Sequence, residues 1–131
     1  MPTTDSAIWQ YQDPMLQTWP KKGKIVVFDL EYTAWEGSMG RCWSEDWEHR
    51  EIVQISAVLV DAAADFEQLD SFNRFIKPTR NPLLSNYFTA LTGIDQTTVD
   101  NEGSLFAKAF SEFVQFVDDV KILFANGNDG G

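Results

Sequence analysis

The sequence contains one cysteine, Cys42, and one histidine, His49. A single cysteine excludes an internal disulfide and a cysteine-rich zinc site. His49 sits in a charged stretch, Glu48-His49-Arg50-Glu51, and reads as a surface residue rather than a catalytic base. Bases are scarce: 10 Lys and Arg stand against 20 Asp and Glu, for a net charge of -10. That balance argues against a general nucleic-acid coat protein, which presents a basic face. It leaves room for an enzyme that holds phosphates through cations, because a bound cation inverts the local field. No apolar run approaches the length of a membrane span. The first twenty residues are polar, with no apolar stretch of the signal-peptide kind. The expectation is a cytoplasmic chain, or a nuclear one, with no membrane partner. Apolar residues are plentiful, 44% of 131 with 14% aromatic, which suffices for one packed domain and not for two.

The most informative stretch is KIVVFDLE, residues 24–31. It is short, β-branched and preceded by a Pro-Lys-Lys-Gly break, so it reads as a buried strand. Asp29 and Glu31 are two apart and point to the same side of an extended chain. Like charges on one face repel unless something positive lies between them. A hard divalent cation, Mg²⁺ or Mn²⁺, satisfies that requirement. Two solvated acids at an emerging strand end satisfy it as well, and the Asp-x-Glu pair alone does not separate these readings.

Residues 1–23 have no sustained periodicity and read as an N-terminal arm whose aromatics pack onto the domain that follows, residues 24–131. Residues 32–50 form a polar, aromatic segment broken by Gly37 and Gly40. Of its tryptophans, Trp35 lies nearest the carboxylates, where it can stack on a base or plug the loop; Trp43 and Trp47 read as packing residues. Glu36 reads as solvated, with an outer carboxylate role as the alternative.

A nearly continuous apolar run at 51–61 predicts an inner strand, and 66–77 predicts a third strand with a bulge. Short connections among the three favour an antiparallel meander. Residues 83–93 read as a helix closed by Gly93, followed by a short turn that Asp95 caps. Ser104 is the expected N-cap of a helix over 105–118, whose Phe106, Phe110, Phe113 and Val117 form a core stripe beside Ala109 and Phe116. Residues 120–125 predict a fourth strand, followed by Asp129.

Four blocks, VVFDLEYTAWEG (26–37), EIVQISAVLVD (51–61), FIKPTRNPLLSNYFTALTGIDQTTVD (75–100) and FANGNDG (124–130), resemble the DEDD superfamily of 3′–5′ exonucleases, most closely its Eri-type RNA exonuclease branch. The resemblance implies an α/β, ribonuclease H-like mixed sheet, with three antiparallel strands, a parallel fourth and flanking helices. It implies that Asp29, Glu31 and Asp129 are catalytic and hold two Mg²⁺ or Mn²⁺ ions. It places Leu30, Tyr32 and Thr33 against the terminal nucleotide, with Trp35 beside them, and Leu91, Thr92, Gly93 and Ile94 along the pocket for the 3′-terminal bases. The implied activity is two-metal hydrolysis at the 3′ end of RNA or single-stranded nucleic acid. The family's fourth acid and its histidine base fall beyond the third acid and have no counterpart here. The expectation is therefore the N-terminal portion of the family domain, weak or inactive by itself. An inactive module that binds nucleic acid or a protein is the alternative. Strand 120–125 would then be a hydrophobic sheet edge, able to pair with a second copy or a partner.

Overall fold

The computed structural model describes residues 23–118, 120 and, as backbone, 122–125. Its elements are β1 (Lys24–Tyr32), α1 (Ser38–Arg41), β2 (Ile52–Asp61), a 3₁₀ turn (Ala62–Ala64), β3 (Glu67–Phe75), α2 (Asn86–Thr92), α3 (Gln96–Glu102), α4 (Phe106–Val117) and β4 (Ile122–Ala125). The strands form one sheet in the order β3-β2-β1-β4. β1 and β2 are antiparallel, as are β2 and β3, while β4 runs parallel to β1. The fold is the α/β mixed sheet expected from the sequence.

The meander follows from its turns. Asp61 ends β2, and its carboxylate accepts the Ala63 N–H at 3.0 Å. Asp65 and Phe66 then take left-handed φ values of 56° and 61°, which reverses the chain within a few residues. In the β2–β3 pairing Leu59 faces Asp70 and Val60 faces Gln68, so Leu69 is the extra residue of the expected bulge.

Two apolar clusters hold the elements together. The first gathers Val26, Ile55, Ala57, Phe72 and Ile76 of the strand region against Ala109 and Phe113 of α4. The Phe113 ring meets Phe28 and Phe72 edge-on at 5.4 and 5.6 Å, pairs worth about 0.5–1.5 kcal/mol each beyond their burial. The second cluster, Ala34, Val53, Phe88, Ile94 and Val99, fixes α2 and α3 against the exit of β1.

Three helical expectations change. Residues 96–102 form a full short helix, α3, rather than a turn; Asp95 does cap it, accepting the Thr98 N–H at 2.8 Å. Ser104 does not cap α4. Its backbone bridges to the end of β3, donating to Phe75 O and accepting from Lys77 N, and Leu105 takes the cap position without a side-chain bond. Phe106 and Phe110 are not core: they are 46% and 48% exposed and stack on each other, while Ala109, Phe113, Phe116 and Val117 face inward. The helical period placed the stripe correctly, but the apolar arc is wider than the contact the sheet offers. No described helix is long and apolar enough to cross a membrane.

Candidate active site

Along β1, Phe28 and Leu30 pack on the cluster beneath α4. Strand alternation therefore puts Asp29 and Glu31 together on the opposite face. On β2 their neighbours are Ser56 and Gln54, so no base is set against either acid by the ladder. Both acids are half-buried. No described residue donates a hydrogen bond to the Asp29 carboxylate. On the other side β4 reaches Ala125, paired with Phe28, one step short of the level of Asp29. The register shifts between Glu31 and Tyr32, a bulge that re-aims the chain just past the acids. The donor set is hard carboxylate oxygen, which suits Mg²⁺ or Mn²⁺. Among the described residues no third acid, histidine or cysteine joins them; Asp129 lies outside the described residues.

The segment leaving β1 is held tightly. Thr33 is 2% exposed. Its hydroxyl donates to His49 O at 2.6 Å and accepts from Glu51 N at 3.0 Å. Its own N–H donates to Glu51 O at 2.8 Å, and its carbonyl accepts the Trp43 indole N–H at 2.8 Å. Every polar atom of Thr33 is thus committed within the protein, which withdraws its side chain from the nucleotide contact expected for it. Leu30 points into the core for the reason given above, so only its backbone is available at the site face. Tyr32 is half-buried and lies under the Arg50 guanidinium, 4.2 Å from ring centroid to Cζ.

The loop beyond is built on Glu48, whose side chain is fully buried. It accepts from Ser38 Oγ at 2.7 Å, from the Glu45 N–H at 3.1 Å and from the Arg41 guanidinium. Ser38 Oγ in turn accepts the Trp35 N–H at 2.8 Å. The Arg41 hydrogen bond holds the Glu48 carboxyl down at about 2; burial opposes this, and the Ser38 and Glu45 donors reinforce it. Nearby Glu51 accepts backbone N–H groups of Thr79, Arg80 and Asn81 at 2.8, 3.0 and 3.0 Å. Burial pushes its pKa up, yet these donors outweigh it and leave the group below its ordinary value.

A shallow cleft, too slight to enclose a water molecule, lies beside the strand exit, lined by Thr33, Ala34, Trp35, Leu83, Leu84, Ser85 and Phe88. Trp35 meets Trp47 edge-on at 5.0 Å. Trp47 is 50% exposed and so is not the buried plug expected of it, whereas Trp43 is half-buried and bonded to Thr33. Glu36 is exposed, as expected. Ser85 ties the far wall to the strand, donating to Ala34 O at 2.6 Å and accepting the Phe88 N–H at 2.9 Å. The expected pocket wall at 91–94 is different from this one. Leu91 is 62% exposed, Ile94 is buried in the second cluster, and the Thr92 hydroxyl donates to Phe88 O. Gly93, at φ 80°, closes α2 and has open space where a Cβ would stand.

Sequence reasoning missed Leu83, Leu84, Ser85 and Phe88 as cleft residues, and Glu48 and Glu51 as anchors. Ser85 carried a usable signal, a serine directly before a helical period. The two glutamates carried none, since a buried acid and a solvated one look alike in a polar loop.

The RNase_T family model, described as an exonuclease, matches residues 26–129. The human protein "ERI1 exoribonuclease 2" is 32% identical over 110 residues, covering 79% of this chain and 14% of that protein. The Drosophila melanogaster "3′-5′ exonuclease Snipper" is 36% identical over 77 residues, covering 59% of this chain and 26% of its own length. The chain thus spans about a quarter or less of these two relatives. A solved structure described as "3′-end specific recognition of histone mRNA stem-loop by 3′-exonuclease" superposes with a TM-score of 0.68 at 23% identity, over 93% of this chain and 43% of that one. The matched region takes in the whole of β4 and all but the first two residues of β1, and so both acids of the strand face. The chain belongs to the RNase_T exonuclease family, in its Eri-like branch.

Proposed function

We propose that this protein is a metal-dependent 3′–5′ exonuclease that hydrolyses phosphodiester bonds at the 3′ end of RNA or another single-stranded nucleic acid. The observation that carries the reading is the pair Asp29 and Glu31 on one face of β1, beside the end of a parallel β4, within the family match. Asp129, four residues past Ala125, is the third ligand in this reading. The three carboxylates would hold Mg²⁺ or Mn²⁺, in keeping with the divalent metals that the family generally uses. Ions held there would supply a lowered pKa for an attacking water and positive charge against that gathering at phosphorus and the leaving oxygen.

The remaining work falls to the chain itself. Asp29 and Glu31 would fix the metal positions from a strand that β2 pairs past both acids and β4 pairs up to Phe28, so little reorganisation is needed. The Thr33–Glu51 and Trp43–Thr33 bonds hold the exit of that strand at one height above the cleft. Trp35, at the cleft wall, offers a ring to the terminal base, and Leu84 and Phe88 line an apolar floor. Leu91, exposed on α2, would with Thr92, Gly93 and Ile94 line the pocket for the 3′-terminal bases. RNA is favoured by the similarity to an exoribonuclease and to a 3′-exonuclease that recognises a histone mRNA stem-loop.

A 5′-labelled oligoribonucleotide incubated with MgCl₂ or MnCl₂ should shorten stepwise from its 3′ end. Asp29→Asn should abolish shortening without altering the far-ultraviolet spectrum. Binding without any shortening, unchanged by Asp29→Asn, would instead support the inactive binding module. Unchanged shortening by Asp29→Asn would refute the assignment of the site.

A further inference from the structure

Cations are few in this chain: among the described ones Arg41 pairs with Glu48, and Arg74 and Lys108 pair with Glu112 on the α4 side of the sheet, while Lys24, Arg50, Lys77 and Arg80 have no described carboxylate within ion-pair distance. Arg50 differs from the others of that group in lying against two aromatic rings. It is exposed, and among the described residues no carboxylate pairs with it. The acids flanking it in sequence are committed elsewhere, Glu48 to Arg41 and Ser38, and Glu51 to the backbone of 79–81. Its guanidinium is nevertheless fixed in place. Cζ lies 4.2 Å from the Tyr32 ring centroid and 4.5 Å from that of Trp43. Trp43 is itself held by a left-handed φ of 54° and by its bond to Thr33 O. The peptide that follows Arg50 is stitched to Thr33 in both directions, Thr33 N to Glu51 O and Glu51 N to Thr33 Oγ1.

A planar guanidinium resting on aromatic faces keeps its N–H edge free for a planar or tetrahedral oxyanion. Tyr32 directly follows Glu31 with its ring on the other side of β1, and Arg50 adjoins the Glu51–Thr33 pairing, so this edge stands just past the end of the strand that carries the acids. We propose that Arg50 is a phosphate contact for the single strand engaged at Asp29 and Glu31, gripping a backbone phosphate on the 5′ side of the scissile one. The inference rests on the exonuclease reading for the strand's presence, and adds to it a residue that holds the strand without touching the reacting atoms.

The test is fluorescence anisotropy of a short single-stranded oligoribonucleotide with the full chain in CaCl₂, for wild type, Arg50→Leu and Arg50→Gln. The glutamine variant keeps a planar, neutral head on the rings and serves where the leucine variant does not fold. Loss of the charge-assisted contact should weaken binding about tenfold at a fixed salt concentration. It should also reduce the slope of log affinity against log salt by about 0.7, the single-strand value per phosphate. A series of oligonucleotides each carrying one neutral methylphosphonate locates the contact. One position should weaken wild type while leaving the Arg50 variants unaffected, as expected when both changes remove the same pair. Wild-type affinity and salt slope in both variants would overturn the proposal, as would methylphosphonate effects that are equal in all proteins. Arg50-dependent binding of inorganic phosphate or a nucleoside monophosphate, with oligonucleotide affinity and salt slope unchanged in the variants, assigns the site to free phosphate and overturns the strand contact. A wild-type chain that neither binds nor shortens any oligonucleotide overturns the exonuclease reading, and this inference falls with it. A chain that shortens RNA at an unchanged rate without Arg50 overturns this inference alone.

Discussion

Replacing Thr33 by valine tests how the strand end is held. Valine matches threonine in shape, so the substitution removes the hydroxyl and little else. That hydroxyl bridges two backbone groups, His49 O and Glu51 N, at 2.6 and 3.0 Å from a site that is 2% exposed. With a methyl group in its place, both backbone groups lose their partner. A buried donor or acceptor left unpaired costs about 1–3 kcal/mol. The 49–51 segment is partly exposed, so water recovers a share of the second group. The expected loss is about 2–4 kcal/mol, a large part of the stability of a domain this size. Thr33→Ser keeps both bonds and loses one buried methyl, for about 1 kcal/mol. Urea unfolding followed by tryptophan fluorescence measures both. At a slope of about 2 kcal/mol/M the valine midpoint should fall by about 1–2 M. A valine variant within about 0.5 kcal/mol of wild type, or a serine variant worse than valine, would refute the reasoning. In the first case the network around Thr33 would not be what holds the exit of β1.

Acid should loosen the same region. Glu48 has its folded pKa depressed from 4.5 to about 2, and that of Glu51 is also depressed. A depressed carboxyl contributes stability above its unfolded pKa and loses it as pH falls through the folded value. Urea midpoints should therefore be flat above the ordinary carboxylate range and drop between 4.5 and about 2. Glu48→Gln should shrink the drop. Ser85→Ala should cost about 0.5–2 kcal/mol as a lost cap, while Ser104→Ala, which removes no cap, should stay within about 0.5 kcal/mol; differential scanning calorimetry separates the two. Gly93→Ala forces a β-carbon into the left-handed region and should cost about 1–2 kcal/mol, with Gly93→Asn costing less in the same scan. Nothing blocks the new side chain at this position, so the penalty is one of backbone conformation alone.

β1 and β2 were readable because each holds a largely apolar stretch longer than a turn and shorter than a helix, 25–28 and 52–60, while β3 was readable from the imperfect alternation of Leu69, Phe72, Phe75 and Ile76. The antiparallel meander was readable from its short connections, while the parallel direction of β4 came from the family resemblance. The acids of β1 were visible because a carboxylate interrupts an otherwise buried strand. Ser104 misled because a serine before a helix is usually a cap, and its backbone proved more useful as a bridge to β3. Phe106 and Phe110 misled because periodicity reports an apolar face without reporting how much of it another element covers. Glu48, Glu51 and Ser85 act through partners 3 to 51 residues away, and only the folded chain brings those partners into reach. The assignment of Asp129 came from resemblance and falls outside the described residues.

Divalent-ion binding tests the account at its centre. Titration of the chain with MnCl₂, with free Mn²⁺ followed by electron paramagnetic resonance, reports the ions held by Asp29, Glu31 and Asp129 without any need for turnover. Wild type should remove Mn²⁺ from solution, and Asp29→Asn, Glu31→Gln and Asp129→Asn should each weaken that uptake while leaving the urea midpoint nearly unchanged. Equal Mn²⁺ uptake by wild type and all three variants would show that these acids do not form one site.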